Sequence, residues 1–310
     1  MAPSQRRFRR LREANALAQG FYSMKKLVAS VFLGLSLFLF TGLTPPTKSS
    51  ELQVTKISES NYRNGVLVNL NVPSPETDFP MRSIYIWTPQ VDTETAASLP
   101  IVYFLHGWPG SPLSMIYSIV PALDKAFQGG ADPFIAVFPD GNAKTHIDSE
   151  WADSSDRKAM IETWLTTNVI SSVEGDNPRS KEQRAIVGFS MGGYGATMVA
   201  LHHPELFTQI GSLAGYFVLD DLTRAFIDKK KIAYETPSNY LNKAKLFRWY
   251  LAEAKDDYTQ PIHGEMVRWS TLLQNMKVSV ETHAPTGGHS FAFVTGQIPS
   301  LVKWFDWSTT

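Results

Sequence analysis

Residues 188–192 read Gly-Phe-Ser-Met-Gly and place one serine, Ser190, where it could act as a nucleophile. The run matches the G-x-S-x-G motif, in which a sharp strand-to-helix turn lifts the serine hydroxyl above a sheet. Its context fits, because residues 185–187 are strand-like and apolar, and a run of mostly small residues follows at 192–196. The N-terminus of the next helix would favour developing negative charge at this position. The pattern predicts a catalytic Ser190; the alternative is a glycine-rich turn with an ordinary serine.

A serine hydroxyl needs a general base, and His289 is the candidate that the sequence favours. In proteins with this motif, the acid and then the histidine follow the serine along the chain. His289 comes after the predicted strand 278–282 and the loop 284–288, which would bring it beside the elbow. The other histidines fit less well, as helix ends, a helix start, a strand end or a residue that precedes the serine: His202, His203, His263, His283 and His146.

The acid is expected after the predicted strand 247–252, where Asp256 and Asp257 are adjacent. Only one of them can face the histidine and hold the ring in its working tautomer and orientation. Asp257 is the favoured candidate, Asp256 is the alternative, and Glu253 is a third choice. The aspartate that does not face the histidine is expected to be a solvated turn residue.

An oxyanion hole would need two backbone N–H donors. One is expected from Met191, directly after the serine, and the second from the loop that follows the first central strand. That loop spans residues 106–110, and the N–H of Trp108 is the predicted donor. The alternative is that His106 and Gly107 form only a tight turn.

The elements that must position these residues alternate between strands and helices, which predicts an α/β protein with a doubly wound, mostly parallel sheet. Three N-terminal segments alternate apolar and polar positions and suit antiparallel edge strands. Continuous apolar runs farther along suit strands that are buried on both faces. The predicted strands are 52–57, 66–71, 81–87, 101–105, 134–138, 184–189, 209–213, 247–252 and 278–282. The predicted helices are 116–127, 157–173, 193–202, 219–230, 263–275 and 298–307.

The N-terminal region, residues 1–50, is expected to lie outside the folded domain, which we assign to residues 51–310. Five arginines and one acid precede residue 24, and residues 27–40 are apolar except for Ser30, Gly34 and Ser36. A basic segment before an apolar run of this length is typical of an export signal. An uncleaved membrane anchor over residues 27–43 is the alternative, although a span usually needs about 20 residues. We therefore expect an exported protein, periplasmic or extracellular, with a linker at 44–50; under the alternative it would stay anchored to the membrane.

Composition excludes several classes of site. The chain has no cysteine, which rules out disulfides, thiolate nucleophiles, zinc–thiolate sites and iron–sulfur clusters. Its formal net charge is zero, so nothing in the charge balance indicates a nucleic-acid partner. No G-x-x-x-x-G-K-[ST] loop is present. The proposed chemistry needs neither a metal nor an organic cofactor.

Four runs together resemble the esterase D and tributyrin esterase family of α/β-hydrolases, which includes feruloyl esterases, S-formylglutathione hydrolases and mycolyltransferases. The runs are residues 105–107, 138–141, 188–196 and 287–291. The resemblance covers about residues 60–306 and implies a triad of Ser190, Asp257 and His289. It also implies that Trp108 and Met191 supply the oxyanion donors. The family often has glycine three residues before the acid, where this chain has Ala254.

The resemblance also implies that residues 150–154 approach the substrate, so Trp151 or Asp153 could shape the site. The alternative is a structural loop with a capping aspartate. The expected function is a serine carboxylesterase that acts on short-chain acyl, acetyl or feruloyl-type esters, either small molecules or esters linked to a polysaccharide. The alternatives are an acyltransferase with the same triad and a non-catalytic binding module of the cell envelope.

Overall fold

The computed structural model describes residues 53–74, 78–146, 148–219 and 229–308. Within these residues the strands form one nine-stranded sheet. They are β1 (Thr55–Asn61), β2 (Gly65–Pro73), β3 (Met81–Pro89), β4 (Ile101–Leu105), β5 (Ile135–Pro139), β6 (Arg184–Phe189), β7 (Gln209–Leu213), β8 (Arg248–Ala252) and β9 (Val280–His283).

The sheet order is β1-β2-β3-β5-β4-β6-β7-β8-β9. Pairing is antiparallel from β1 to β5 and parallel from β5 across to β9. This confirms the prediction of a mostly parallel sheet with an antiparallel N-terminal edge. The first strand begins at Thr55 rather than Leu52 and is exposed along its whole length, so its side chains offered little burial signal for its boundaries.

The helices alternate with the central strands. They are α1 (Thr93–Ser98), α2 (Pro112–Gln128), α3 (Ile161–Thr163), a π-helical segment (Trp164–Val169), α4 (Ile170–Glu174), α5 (Met191–His202), α6 (Lys229–Tyr234), α7 (Glu265–Asn275) and α8 (Phe291–Trp304). Short 3₁₀ helices span Lys181–Gln183 and Pro237–Leu246. The helix predicted at 219–230 falls mostly on residues 220–228, outside the described residues. The sequence patterns did not predict α1 or the 3₁₀ helix at Pro237–Leu246. These helices bury few residues, so they show no clear hydrophobic periodicity.

Two apolar layers cover the sheet, one on each face. Along β4, Tyr103 and its alternate neighbours point into the layer that contains α5 and α7, whereas Val102 and Phe104 point into the layer that contains α2 and α8. Alternate side chains of a strand face opposite sides, so a strand between two layers must be apolar throughout. β4 meets that requirement along its whole length, and β6 meets it after Arg184, a buried cation that is paired with Glu174. The loops of the site follow the carboxyl ends of these two strands.

The predicted export signal or anchor at 27–43, with the rest of residues 1–50, lies outside the described residues. Across the part of the chain that is described, no helix is both long and apolar enough to cross a membrane.

Candidate active site

Ser190 stands at the turn between β6 and α5 in a backbone conformation that residues with a side chain rarely adopt. Its φ is 58° and its ψ is −122°. Strained residues of this kind persist only where the surroundings over-determine them, and they concentrate at functional sites. The turn is held by the Ser190 N–H, which donates to Leu213 O at 2.9 Å, and by its carbonyl oxygen, which accepts from Gly193 N at 2.8 Å.

The flanking glycines make this turn possible by close approach. A side-chain carbon on Gly188 would overlap the carbonyl of Gly192, and one on Gly192 would overlap the carbonyl of Leu105. Only hydrogen fits at either position. The two glycines therefore let α5 start directly against the sheet, with Ser190 at its N-terminus.

Ser190, His289 and Asp257 lie in one hydrogen-bonded line. Ser190 Oγ is 3.0 Å from His289 Nε2, and His289 Nδ1 is 2.8 Å from Asp257 Oδ2. A carboxylate can only accept, so Nδ1 carries a proton and Nε2 of the neutral ring is left to accept from the serine hydroxyl. This arrangement lets the histidine remove the hydroxyl proton.

Asp257 is buried, with 1% of its surface exposed. Burial alone would raise the pKa of this carboxyl. Hydrogen bonds from the Thr259 N–H and hydroxyl, followed by that from His289, outweigh burial and lower the pKa below its ordinary value. Asp257 is therefore ionised at neutral pH and can stabilise a positive charge on the imidazole.

The other described histidines have different partners. His202 and His203 both contact Glu162 at 2.9 Å, at the far end of α5 from Ser190. His263 lies nearer the site, and its Nδ1 is 2.7 Å from the carbonyl oxygen of Asp257. The remaining three histidines hydrogen-bond to groups other than Ser190: His106 to the Gly141 N–H, His146 to Asp156 and His283 to Glu281.

The two competing acids also have other partners. Asp256 Oδ1 accepts from Gly287 N at 2.8 Å and from Gly288 N at 3.0 Å, so it binds the loop before His289 and not the ring. Glu253 accepts from the N–H groups of Gly264 and Met266 at the start of α7. Asp256 is therefore more than the solvated turn residue that the sequence suggested for the aspartate not facing His289.

The loop at residues 106–110 contacts Ser190. A side-chain carbon on Gly107 would lie 2.9 Å from Ser190 Cβ, so this loop touches the serine directly. Trp108 follows with 49% of its surface exposed. Met191 is the first residue of α5, where a backbone N–H has no partner within the helix. The oxyanion role of Trp108 and Met191 stays a prediction.

Trp151 and Asp153 make the contacts of a structural loop. Trp151 is fully buried, and its indole N–H donates to His106 O at 2.9 Å. Asp153, which lies outside α3, accepts from the N–H and the hydroxyl of Thr163 in that helix. Substrate contact by these two residues stays a prediction, although Trp151 also packs against Gly195 in the helix that follows the serine.

Phe189 and Tyr216 near the site were not singled out from the sequence. Phe189 stacks on the His289 ring with centroids 4.7 Å apart. The Tyr216 hydroxyl donates to the buried Glu150. The Glu150 N–H donates to Asp148, two residues earlier, whose pKa is raised to about 6 by burial. The G-x-S-x-G motif leaves the residue before the serine open, so only its apolar character could have pointed to Phe189.

One group among the described residues has the side chains of a metal site: Glu162, His202 and Glu235, whose candidate ligand atoms all lie within 4.8 Å of one another. Each carboxylate already has a basic partner. Lys231 Nζ lies 2.6 Å from Glu235, and the two histidines contact Glu162. We assign no metal to this group, which we call the Glu162 cluster together with His203 and Lys231.

Comparison with known proteins identifies the family to which the chain belongs. The family model described as "Putative esterase" matches residues 81–258, more than half of the 310-residue chain. Ser190 and Asp257 lie inside the matched stretch, and His289 lies beyond it. Among curated proteins, none matches the chain in sequence.

Solved structures share the fold. A ferulic acid esterase superimposes with a TM-score of 0.67 at 18% identity, over 79% of this chain and 98% of its own. S-formylglutathione hydrolase from Agrobacterium tumefaciens gives 0.66 at 14% identity, over 81% and 98%. FphF, a fluorophosphonate-binding serine hydrolase of Staphylococcus aureus, gives 0.64 at 16% identity, over 79% and 99%. These likenesses establish the fold, and with the family match they confirm the resemblance that the four sequence runs indicated. The chain belongs to the putative esterase family and is a hydrolase of ester bonds with the α/β-hydrolase fold.

Proposed function

We propose that the chain is a serine carboxylesterase that hydrolyses short-chain acyl, acetyl or feruloyl-type esters through an acyl-enzyme intermediate. The observation that carries the proposal is the continuous line from Ser190 Oγ through His289 to Asp257, with heavy-atom distances of 3.0 and 2.8 Å. Such a line converts a weak hydroxyl nucleophile into a strong one at neutral pH.

In the first half-reaction Ser190 Oγ attacks the ester carbonyl carbon, and His289 Nε2 takes the hydroxyl proton. Asp257 stabilises the resulting imidazolium and holds its orientation. The carbonyl oxygen, now negative, is held by the N–H groups of Met191 and Trp108 at the N-terminus of α5 and the adjacent loop. His289 then returns the proton to the leaving alcohol, and the acyl group remains on the serine.

In the second half-reaction a water molecule takes the place of the alcohol. His289 removes one of its protons, the water oxygen attacks the acyl carbon, and the serine leaves with the proton from the imidazolium. The free acid and the original serine are the products. Every proton in this cycle is handled by His289, so no metal is required.

The substrate class rests on two observations. Trp108 is half exposed and follows Gly107, which lies against Ser190, so its indole could pack on a small acyl or aromatic group. A protein with the same fold is a ferulic acid esterase. An acyltransferase would use the same acyl-enzyme with a sugar or lipid hydroxyl in place of water, whereas a non-catalytic module would need no ordered line at Ser190.

We also infer that the protein is exported, because five arginines precede the apolar run at 27–40. Fractionation of expressing cells, with N-terminal sequencing of the mature protein, tests this. Recovery of the chain in the cytosol with its N-terminus intact would contradict export.

The function is tested by hydrolysis of p-nitrophenyl acetate, butyrate and palmitate and of methyl ferulate, with the full chain and with Ser190→Ala. We expect turnover of the short or feruloyl esters that is lost in the variant, and little turnover of palmitate. A folded wild-type chain that hydrolyses none of these esters would contradict the proposal. The same assay with added glycerol distinguishes hydrolysis from transfer, because a transferase would yield glycerol esters in place of free acid.

A further inference from the structure

We propose that Asp256 is a positioning residue: its carboxylate holds the loop that carries His289 and thereby places the imidazole between Ser190 and Asp257. The inference rests on the proposed function, since it assigns a role to a residue that touches neither the substrate nor the reacting atoms. The two adjacent aspartates then have different roles. Asp257 hydrogen-bonds to the imidazole ring of His289, and Asp256 hydrogen-bonds to the backbone of the loop before it.

Both bonds from the loop reach one oxygen. The N–H groups of Gly287 and Gly288 donate to Asp256 Oδ1 at 2.8 and 3.0 Å. The φ angles of these glycines are +146° and +56°, a region that favours glycine. Two successive N–H groups that converge on one point form a concave site for an anion. The Gly-Gly pair before His289 therefore reads as a receptor for a carboxylate, and Asp256 occupies it.

The Asp256 carboxylate prefers to be charged in this setting. Hydrogen bonds from Gly288 and then from Gly287 lower its pKa below the ordinary value. Charged acceptors form stronger hydrogen bonds than neutral ones do. The contact is therefore present throughout the neutral range in which an imidazole base would work.

Further bonds tie the loop to the same turn. Lys255 N donates to Pro285 O at 2.9 Å. The loop is therefore held at Pro285 by the backbone of Lys255 and at the two glycines by the side chain of Asp256. On the other side, Ser290 Oγ donates to Gly287 O at 2.7 Å. The Asp257 N–H closes the turn onto Ala254 O at 2.9 Å. His289 thus lies between this turn and the start of α8, and the Asp256 side chain joins the turn to the backbone of the loop.

Loss of Asp256 would leave the core unchanged, because the residue is exposed. It would instead release residues 287–288 and broaden the range of ring positions at His289. A misplacement of about 1 Å in a catalytic group can reduce the rate by about 100-fold. Since substrate binding does not involve this loop backbone in our proposal, we expect the effect in kcat and not in KM.

The test compares Asp256→Ala, Asp256→Asn and the matched control Lys255→Ala. Asparagine is as long as aspartate and keeps one acceptor oxygen, but it is uncharged. It therefore separates the effect of an acceptor at this position from the effect of its negative charge. Lys255→Ala alters the neighbouring side chain in the same turn and keeps the backbone bond to Pro285. Each protein is titrated with a fluorophosphonate probe that labels Ser190, and kcat and KM for p-nitrophenyl acetate are expressed per labelled site.

We expect Asp256→Ala to lose about 10- to 100-fold in kcat per labelled site with KM within about twofold. Asp256→Asn should recover part of this loss, because its neutral oxygen accepts weaker hydrogen bonds than a carboxylate does, and Lys255→Ala should match the wild type. Two results would overturn the inference: an alanine variant as active as the wild type, or a loss confined to the number of labelled sites. If the wild-type chain neither hydrolyses an ester nor takes the label at Ser190, the proposed function fails first and this inference fails with it.

Discussion

The ring of Phe189 stacks on the ring of His289, with centroids 4.7 Å apart and planes inclined by 27°. Phe291 contacts the same phenylalanine at 5.5 Å. A flat apolar partner restricts rotation of the imidazole and keeps water from one of its faces. The residue before Ser190 thereby restrains the histidine that we propose as the general base.

We predict that Phe189→Ala lowers kcat by about 10-fold, because the ring gains freedom to leave the line between Ser190 and Asp257. Phe189→Tyr keeps the stacking surface and is the control, with kcat expected near the wild-type value. Steady-state kinetics on p-nitrophenyl acetate, normalised to labelled sites, measure both variants. Equal kcat for the alanine variant and the wild type would show that the stack has no part in catalysis.

The assignment of the acid is tested by substituting Asp257. Asp257→Asn replaces an acceptor that fixes the Nδ1–H tautomer with a group that can also donate, so we expect kcat to fall by about 10³- to 10⁴-fold. Glu253→Gln is the control from the same segment. Its carboxylate bonds the start of α7, so the change should lower the melting temperature and leave kcat per labelled site within about twofold. A larger loss of kcat in the Glu253 variant than in the Asp257 variant would reverse the assignment.

The chemistry-bearing residues could be predicted because each is marked locally. The serine lies in a five-residue motif, and Asp257 and His289 follow predicted strands at the carboxyl edge of a parallel sheet. Strands β6 and β7 begin and end at the predicted residues, and each is buried along its whole length. Buried periodicity is what a single sequence reports best.

The contacts that support the site could not be predicted, because they join residues far apart in the chain. The bonds from Gly287 and Gly288 to Asp256 span about thirty residues. The partners of Asp153 and Glu253 are likewise set by how helices dock, although each residue is an ordinary acid in the sequence. An exposed turn shows no hydrophobic periodicity, so the sequence does not indicate which groups its side chains contact. Those contacts are seen only in the folded chain.

The glycine at the start of α5 gives a prediction about the fold. Gly192→Ala would force a methyl group into the Leu105 carbonyl, so we expect loss of the folded, labelled protein. Gly296→Ala is the matched control, because a methyl group at this position in α8 meets nothing within 4 Å. Alanine is favoured over glycine inside a helix by about 0.5–1 kcal/mol, so this variant should be slightly more stable. Thermal unfolding measures both, and a Gly192→Ala protein with wild-type stability would contradict the packing at the elbow.

The Glu162 cluster makes stability depend on pH through Glu235. Burial, and then the nearby Glu162, raise the pKa of this carboxyl to about 7 despite the ion pair with Lys231. Between about 4.5, its ordinary value, and 7, the folded chain therefore holds a proton that the unfolded chain has released. The free energy of unfolding falls as pH rises through that window and levels off above it.

We therefore predict that Glu235→Gln flattens this dependence. The amide is neutral at every pH, so the decline in unfolding free energy between pH 5 and pH 8 should be smaller than in the wild type by about 2–3 kcal/mol. His203, whose pKa is raised chiefly by its hydrogen bond to Glu162, adds a decline of the same sign above about 6.5. That contribution is present in both proteins and cancels in the comparison. Urea unfolding at pH 5, 6, 7 and 8 gives the two curves, and parallel curves would show that Glu235 ionises in the folded chain as it does in the unfolded one.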